Sequence, residues 1–154
     1  MKPEMRIGEI EAHRYWILTN YEGKKLFSPN KSKGWNPGEP HEGERPSRDS
    51  HYFRGVYAFK DRAVMYEWLA RHDVLEALRD NWWRCGNEGD GFFKPVALVT
   101  GTIRMWGRVE EGPRGYTAQY ARVIGLDQIN YGPAFEQWLD RSPDLVLARQ
   151  RYEV

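Results

Sequence analysis

Apolar and polar positions first alternate over residues 10–19. Ile10, Ala12, Trp16 and Leu18 share one face of a strand, with Arg14 interrupting them; Glu11, His13, Tyr15, Ile17 and Thr19 take the other face. A period of two predicts a half-buried strand rather than a helix. Asn20-Tyr21-Glu22-Gly23 predicts a turn and residues 24–27 the returning strand, so the segment reads as a β-hairpin.

The pattern is then lost over residues 29–50, which carry Pro29, Pro37, Pro40 and Pro46 together with Gly34, Gly38 and Gly43. A loop of this length in a compact domain is functional or disordered. Trp35 lies inside it, and a lone Trp among Gly and Pro predicts an anchor that holds the loop to the body, with ligand contact as the second reading.

Residues 52–60 predict a short strand with Phe53, Val56, Tyr57 and Phe59 as its apolar content, whereas the continuously apolar residues 96–99 suit a buried central strand. Asp61 supplies an N-cap, and Val64, Met65, Trp68, Leu69 and His72 form a helical stripe. Asp73 and Glu76 make a second cap, so residues 62–83 predict one kinked helix or two in series. Residues 96–109 form the longest strand candidate, with Gly101 marking a bulge. Residues 110–115 predict a hairpin loop and 116–124 its return. Pro133 suits the first turn of a last helix with Phe135, Trp138 and Leu139 inward, and Pro143 its stop; residues 144–152 fit a short helix or an edge strand equally. The expected fold is a single α+β domain over 1–154: a mainly antiparallel sheet of two β-hairpins plus a central strand, with two to four helices packed on it.

Composition narrows the function more than the fold. The 154 residues carry 23 Lys and Arg against 22 Asp and Glu, so no global field favours DNA, RNA or an anionic membrane. Aromatics at 14% argue against disorder. Cys85 is the only cysteine, which excludes an intrachain disulfide and a Cys-rich zinc site. No apolar run reaches the roughly 20 residues of a membrane span, and the N-terminus does not read as a signal peptide; a cytoplasmic protein is expected.

Catalytic signatures are missing. There is no Walker A loop, G-x-G-x-x-G, H-E-x-x-H or G-x-S-x-G. Cys85 at a helix end lacks the field that lowers a thiol pKa. Glu88 and Asp90 in a Gly-rich turn lack EF-hand spacing. His41 and His51, beside Glu42, Glu44 and Asp49, match no metal signature, and His72 suits a helix C-terminus. No metal and no cofactor is expected. The second hairpin is richer: Arg104, Trp106 and Arg108 share one strand face, and Tyr116, Tyr120 and Arg122 share a face of the partner. Arginine beside aromatics on a sheet serves single-strand stacking platforms, and equally makes cross-strand cation–π packing on the solvent side. Glu110 and Glu111 weaken the positive field.

Two resemblances follow from motifs. Trp35-Asn36-Pro37-Gly38, Gly55-Val56-Tyr57-Ala58-Phe59, Trp106-Gly107-Arg108-Val109 and Gly115-Tyr116-Thr117-Ala118-Gln119-Tyr120-Ala121 resemble, in order, the motifs of a family of small uncharacterised bacterial domains. Many of its members have cysteines before the second motif, where this chain has His51-Tyr52-Phe53-Arg54. The family implies no established activity. More narrowly, Gly55 to Phe59, with Ala63 and Tyr66 after it, is similar to a strand–helix segment of ADP-ribosyltransferase-like domains. That resemblance implies an NAD pocket with His13 or Arg14 on the first strand, Tyr57 or Tyr66 stacking on nicotinamide, and Glu110 or Glu111 as the late acid. No clear Ser-Thr-Ser strand accompanies it.

The expected function is a non-catalytic binding or adaptor module. A protein partner is favoured over nucleic acid, and Trp35, Arg104, Trp106, Arg108, Tyr116, Tyr120 and Arg122 are the candidate contacts. The alternatives are the NAD- or nucleotide-binding transferase-like domain and a single-strand binder using residues 104–122.

Overall fold

The computed structural model describes residues 4–6, 8–20, 24–28, 34–43, 55–71, 95–131 and 137–153. Eight strands and two helices lie among them: β1 (Glu4–Arg6), β2 (Ile10–Thr19), β3 (Lys25–Phe27), β4 (Gly34–Trp35), β5 (His41–Glu42), β6 (Val56–Phe59), α1 (Arg62–Arg71), β7 (Pro95–Glu111), β8 (Gly115–Asn130) and α2 (Pro143–Tyr152). Every strand pairing is antiparallel. The architecture is α+β with a mainly antiparallel sheet.

The sheet returns to its own start. β7 pairs with β8, β8 with β6, β6 meets β2 through the rung His13↔Phe59, and β2 pairs back onto β7 from Ile10↔Met105 to Thr19↔Pro95. Strands closing on themselves must bend, and β7 bends where its register with β8 shifts, at Thr100/Gly101, Thr102/Ile103 and Trp106/Val109. Gly101 is required at the first shift, because a Cβ there would lie 2.4 Å from the Gly125 carbonyl oxygen and 3.0 Å from the Trp16 ring. β6 is four residues long, and the 17 residues of β7 pair with β2 on one side and β8 on the other.

Alternation along β2 divides the side chains between two cores. Ala12, Trp16 and Leu18 face the interior of the closed sheet, with Val56, Ala58 and Ala118 among their neighbours. The small alanines leave room for the Trp16 and Trp35 rings, a division of sizes typical of narrow barrels. Ile17 faces outward and packs with Leu98, Phe59 and the α1 residues Met65 and Leu69. Asp61 caps α1, its Oδ1 accepting the Ala63 N–H at 2.9 Å.

Two segments differ from the expectation. Pro143 does not stop a helix: it opens α2, and Ser142 Oγ caps the helix by accepting the Leu145 N–H at 3.0 Å. A ring that fixes φ and lacks an N–H fits the first turn of a helix, where that N–H has no partner in any case. Leu139, expected on a helix, bridges Ile129 through two main-chain hydrogen bonds of 2.9 and 2.8 Å. Within the Pro/Gly-rich stretch, residues 34–43 carry β4, a turn and β5. The turn has Pro37 and then Gly38 at φ 76°, and the Glu39 N–H returns to the Asn36 carbonyl at 3.3 Å. This is the residue order of a type II turn. The expected second helix, Cys85, the 86–91 turn, His51 and His72 lie outside the described residues.

Candidate functional site

The register of β7 and β8 assembles part of the expected contact face. Trp106 lies opposite Tyr120 and Arg104 opposite Arg122, on successive outward rungs. The Trp106 and Tyr120 rings stack with centroids 5.9 Å apart and planes 24° from parallel. Like charges directly across a ladder repel, and Arg104 is compensated from its other side. Glu9 and Glu11 each approach it to 3.5 Å, Glu11 being its cross-strand neighbour on β2. Arg108 leaves this alignment. Gly107, at φ 81°, forms the bulge, and Arg108 turns to Glu110 at 2.8 Å. Its N–H donates to Gln119 Oε1.

Two of the expected contacts are elsewhere. Trp35 is only 2% exposed, and its Nε1 donates to Ser28 Oγ at 2.9 Å. It is the anchor of its segment and offers no surface to a partner. Tyr116 sits on the rung of Glu111, beneath the Lys60 ammonium, and packs against the interior.

Of the transferase-like set, the register places Tyr57 and Glu110 on either side of Thr117. Glu110 is engaged by Arg108 and Glu111 by Lys60. Tyr66 Oη donates to Gln128 Oε1 at 2.6 Å and lies 2.7 Å from Thr100 Oγ1. Tyr57 is 41% exposed, and its ring meets the Phe59 ring edge-on. His13 faces Asp127, whose carboxyl is pushed up by burial against the pull of Arg62 and then His13. No hydrogen bond or ion pair among the described residues joins His13, Tyr57, Tyr66 and Glu110.

A second polar centre lies on the inner face, where Arg14 interrupts the apolar residues of β2. Its Nη1 donates to the Tyr57 carbonyl at 2.5 Å and its Nη2 to Ser28 Oγ at 2.7 Å. The guanidinium carbon stands 5.1 Å from the Trp35 ring centroid. His41 stacks on Trp35 at 4.1 Å, and Trp16 meets it edge-on at 5.4 Å. No carboxylate pairs with Arg14 among the described residues, and burial pulls its pKa down to about 10. Arg14 Nε and Trp16 Nε1 are both enclosed and without a hydrogen-bond partner. The sequence signal for this centre was the single charge on an otherwise apolar strand face.

No group of three or more His, Cys, Asp or Glu side chains able to hold a metal occurs among the described residues. No helix among them is long and apolar enough to cross a membrane. Comparison with known proteins finds no matching family model, no matching curated protein and no matching solved structure.

Proposed function

We propose that this chain is a non-catalytic binding module that meets a protein partner with the outward face of β7 and β8. The observation that supports it is the pair of successive outward rungs Trp106↔Tyr120 and Arg104↔Arg122, an aromatic step next to an arginine step on the solvent side. Trp, Tyr and Arg supply most binding hot spots. The charges around them balance: Arg104, Arg108 and Arg122 stand against Glu9, Glu11 and Glu110. A polyanion needs an uncompensated positive track, so a protein surface of mixed charge is the better match.

The test is affinity capture with the wild-type chain, compared with Trp106→Ala and Arg122→Glu. A partner retained by the wild type and lost by both variants supports the reading. Equal retention by all three removes this face from the function. Salt-dependent binding of a single-stranded oligonucleotide at micromolar affinity favours the nucleic-acid alternative instead.

A further inference from the structure

The last helix carries apolar residues on two opposite sides. Leu145, Ala148 and Tyr152 bury one side of α2 against the body. Pro143, Val146, Leu147 and Gln150, spaced i, i+3, i+4 and i+7, line the other side and are all exposed, Val146 at 44% and Leu147 at 46%. A helix with only one partner turns charged and polar residues to solvent, and α2 departs from that pattern. Tyr131 adjoins its first turn, where the hydroxyl donates to Ser142 Oγ and Asp144 Oδ2. Of the six large exposed hydrophobic residues among those described, four, Tyr131, Leu139, Val146 and Leu147, fall within residues 131–147. Scattered exposed apolar residues need no explanation, whereas a concentration of them marks a contact surface.

Beside this stripe lies an open cleft of about 240 Å³, lined by Asn20, Lys24, Leu147, Gln150 and Arg151. It falls below the roughly 300–1,000 Å³ of small-molecule pockets and is of a size for one side chain. Lys24 lies 2.7 Å from Asp144 and also donates to Asn20 Oδ1, so its charge is met within the chain. The occupant that suits the cleft is therefore an aliphatic side chain rather than an anion.

The charges of α2 say which surface brings that side chain. Asp144 lies in the first turn and Arg149 and Arg151 in the last. A helix of this polarity complements a copy of itself laid antiparallel, because the acidic turn meets the basic turn and the two macrodipoles oppose. We propose that two copies of this chain pair through α2, antiparallel about a two-fold axis at Leu147, with Leu147 of each copy seated at the cleft of the other. Arg151 is four residues beyond that axis and Asp144 three before it. At about 1.5 Å per residue, the partner's Arg151 comes within about 1.5 Å of the level of Asp144 along the helix. Seven residues apart, Asp144 and Arg151 share one flank of the stripe, and the two-fold keeps the facing flanks together. The interface is isologous and closes at the dimer. A ten-residue helix is about 15 Å long, so the contact is small and the dimer is of the weak, concentration-dependent class.

The experiment is analytical ultracentrifugation of the purified chain over about 5–500 µM, the range of weak association. The wild type is expected to pass from monomer to dimer across that range. Leu147→Asp is expected to raise the dimer dissociation constant at least about tenfold and to leave the Tm unchanged, since the side chain it replaces is exposed. If Leu147→Asp does not fold, Val146→Asp replaces it with the same expectation. Cross-linking then tests the arrangement in a Cys85→Ser background. Leu147→Cys is expected to oxidise to a covalent dimer. Gln150→Cys is expected not to, because the axis sets its two copies about 9 Å apart along the helices, beyond the span of a disulfide. A wild type that stays monomeric at about 500 µM overturns the second copy as the occupant of this face. A dimer that the folded Asp variant leaves intact overturns α2 as its surface, and equal cross-linking by Gln150→Cys overturns the antiparallel arrangement.

Discussion

The Tyr152 hydroxyl donates to the Trp35 carbonyl at 2.6 Å, tying the last helix to a two-residue strand 117 positions earlier. The same oxygen accepts the Leu26 N–H at 2.9 Å, on the rung where β3 meets β4. Tyr152→Phe keeps the ring and strands both main-chain groups in a buried place. A loss of about 2–4 kcal/mol is expected in urea unfolding, since each unsatisfied buried group costs about 1–3 kcal/mol. A loss below about 0.5 kcal/mol contradicts the linkage.

Closure of the sheet depends on the approach of β7 to β8 at Gly101. Gly101→Ala puts a methyl group against the Gly125 carbonyl, a main-chain atom that cannot swing aside. Destabilisation of about 3 kcal/mol or more is expected, with the near-ultraviolet aromatic signal of Trp16 lost or changed. A variant as stable as the wild type shows that the ladder accommodates the bulge without close contact.

On the outer face, Arg122→Glu converts a like-charge pair with Arg104 into an opposite-charge pair. Stability is expected to stay within about 0.5 kcal/mol of wild type or rise. Affinity for the proposed protein partner is expected to fall at least about tenfold, or about 1.4 kcal/mol. A variant that loses stability and affinity together reports a folding defect rather than a contact.

Asp144 links the first turn of α2 to the other end of the chain. Lys24 lies 2.7 Å from it, and the Tyr131 hydroxyl donates to its Oδ2. Hydrogen bonds first from Lys24 and then from Tyr131 hold its carboxyl below the usual value. With the folded pKa depressed, its contribution is present above the unfolded value of 3.8 and is lost as pH falls through the folded one. The site is partly exposed, so screening limits the effect to about 1 kcal/mol. Asp144→Asn should be less stable than wild type at neutral pH, with the gap closing as acid is added. A gap independent of pH sinks the assignment.

Asp127 carries the opposite sign. Its carboxyl is raised by burial, so stability falls as pH rises from the unfolded pKa through the folded one. Asp127→Asn should therefore flatten that fall in urea midpoints taken across the acid range. An unchanged slope argues that Arg62, His13 and Arg149 fully compensate the buried charge.

What was legible in the sequence was local. The two faces of β2, the cap at Asp61 and the bulge at Gly101 could be read because a period, a capping oxygen and a missing Cβ act within a few residues. Pro143 was read as a stop on the same local terms, and wrongly, since a proline ends one helix as readily as it opens the next; Ser142 decides it only once its oxygen accepts the Leu145 N–H. Trp106 and Tyr120 were visible as candidates, but which of the neighbouring residues join them depends on register. The bulge at Gly107 turns Arg108 away, and burial removes Trp35.

Arg14 marks the boundary most clearly. Alternation alone put its charge on the apolar face of β2. Whether that charge would find a carboxylate depended on which distant segments closed around it. The rung between His13 and Phe59 and the neutral partners Ser28 and Tyr57 come from pairings between strands more than ten residues apart in the chain. A one-dimensional pattern carries the direction a side chain takes from its own strand. What it meets there is set by long-range packing, and so only the folded chain decided it.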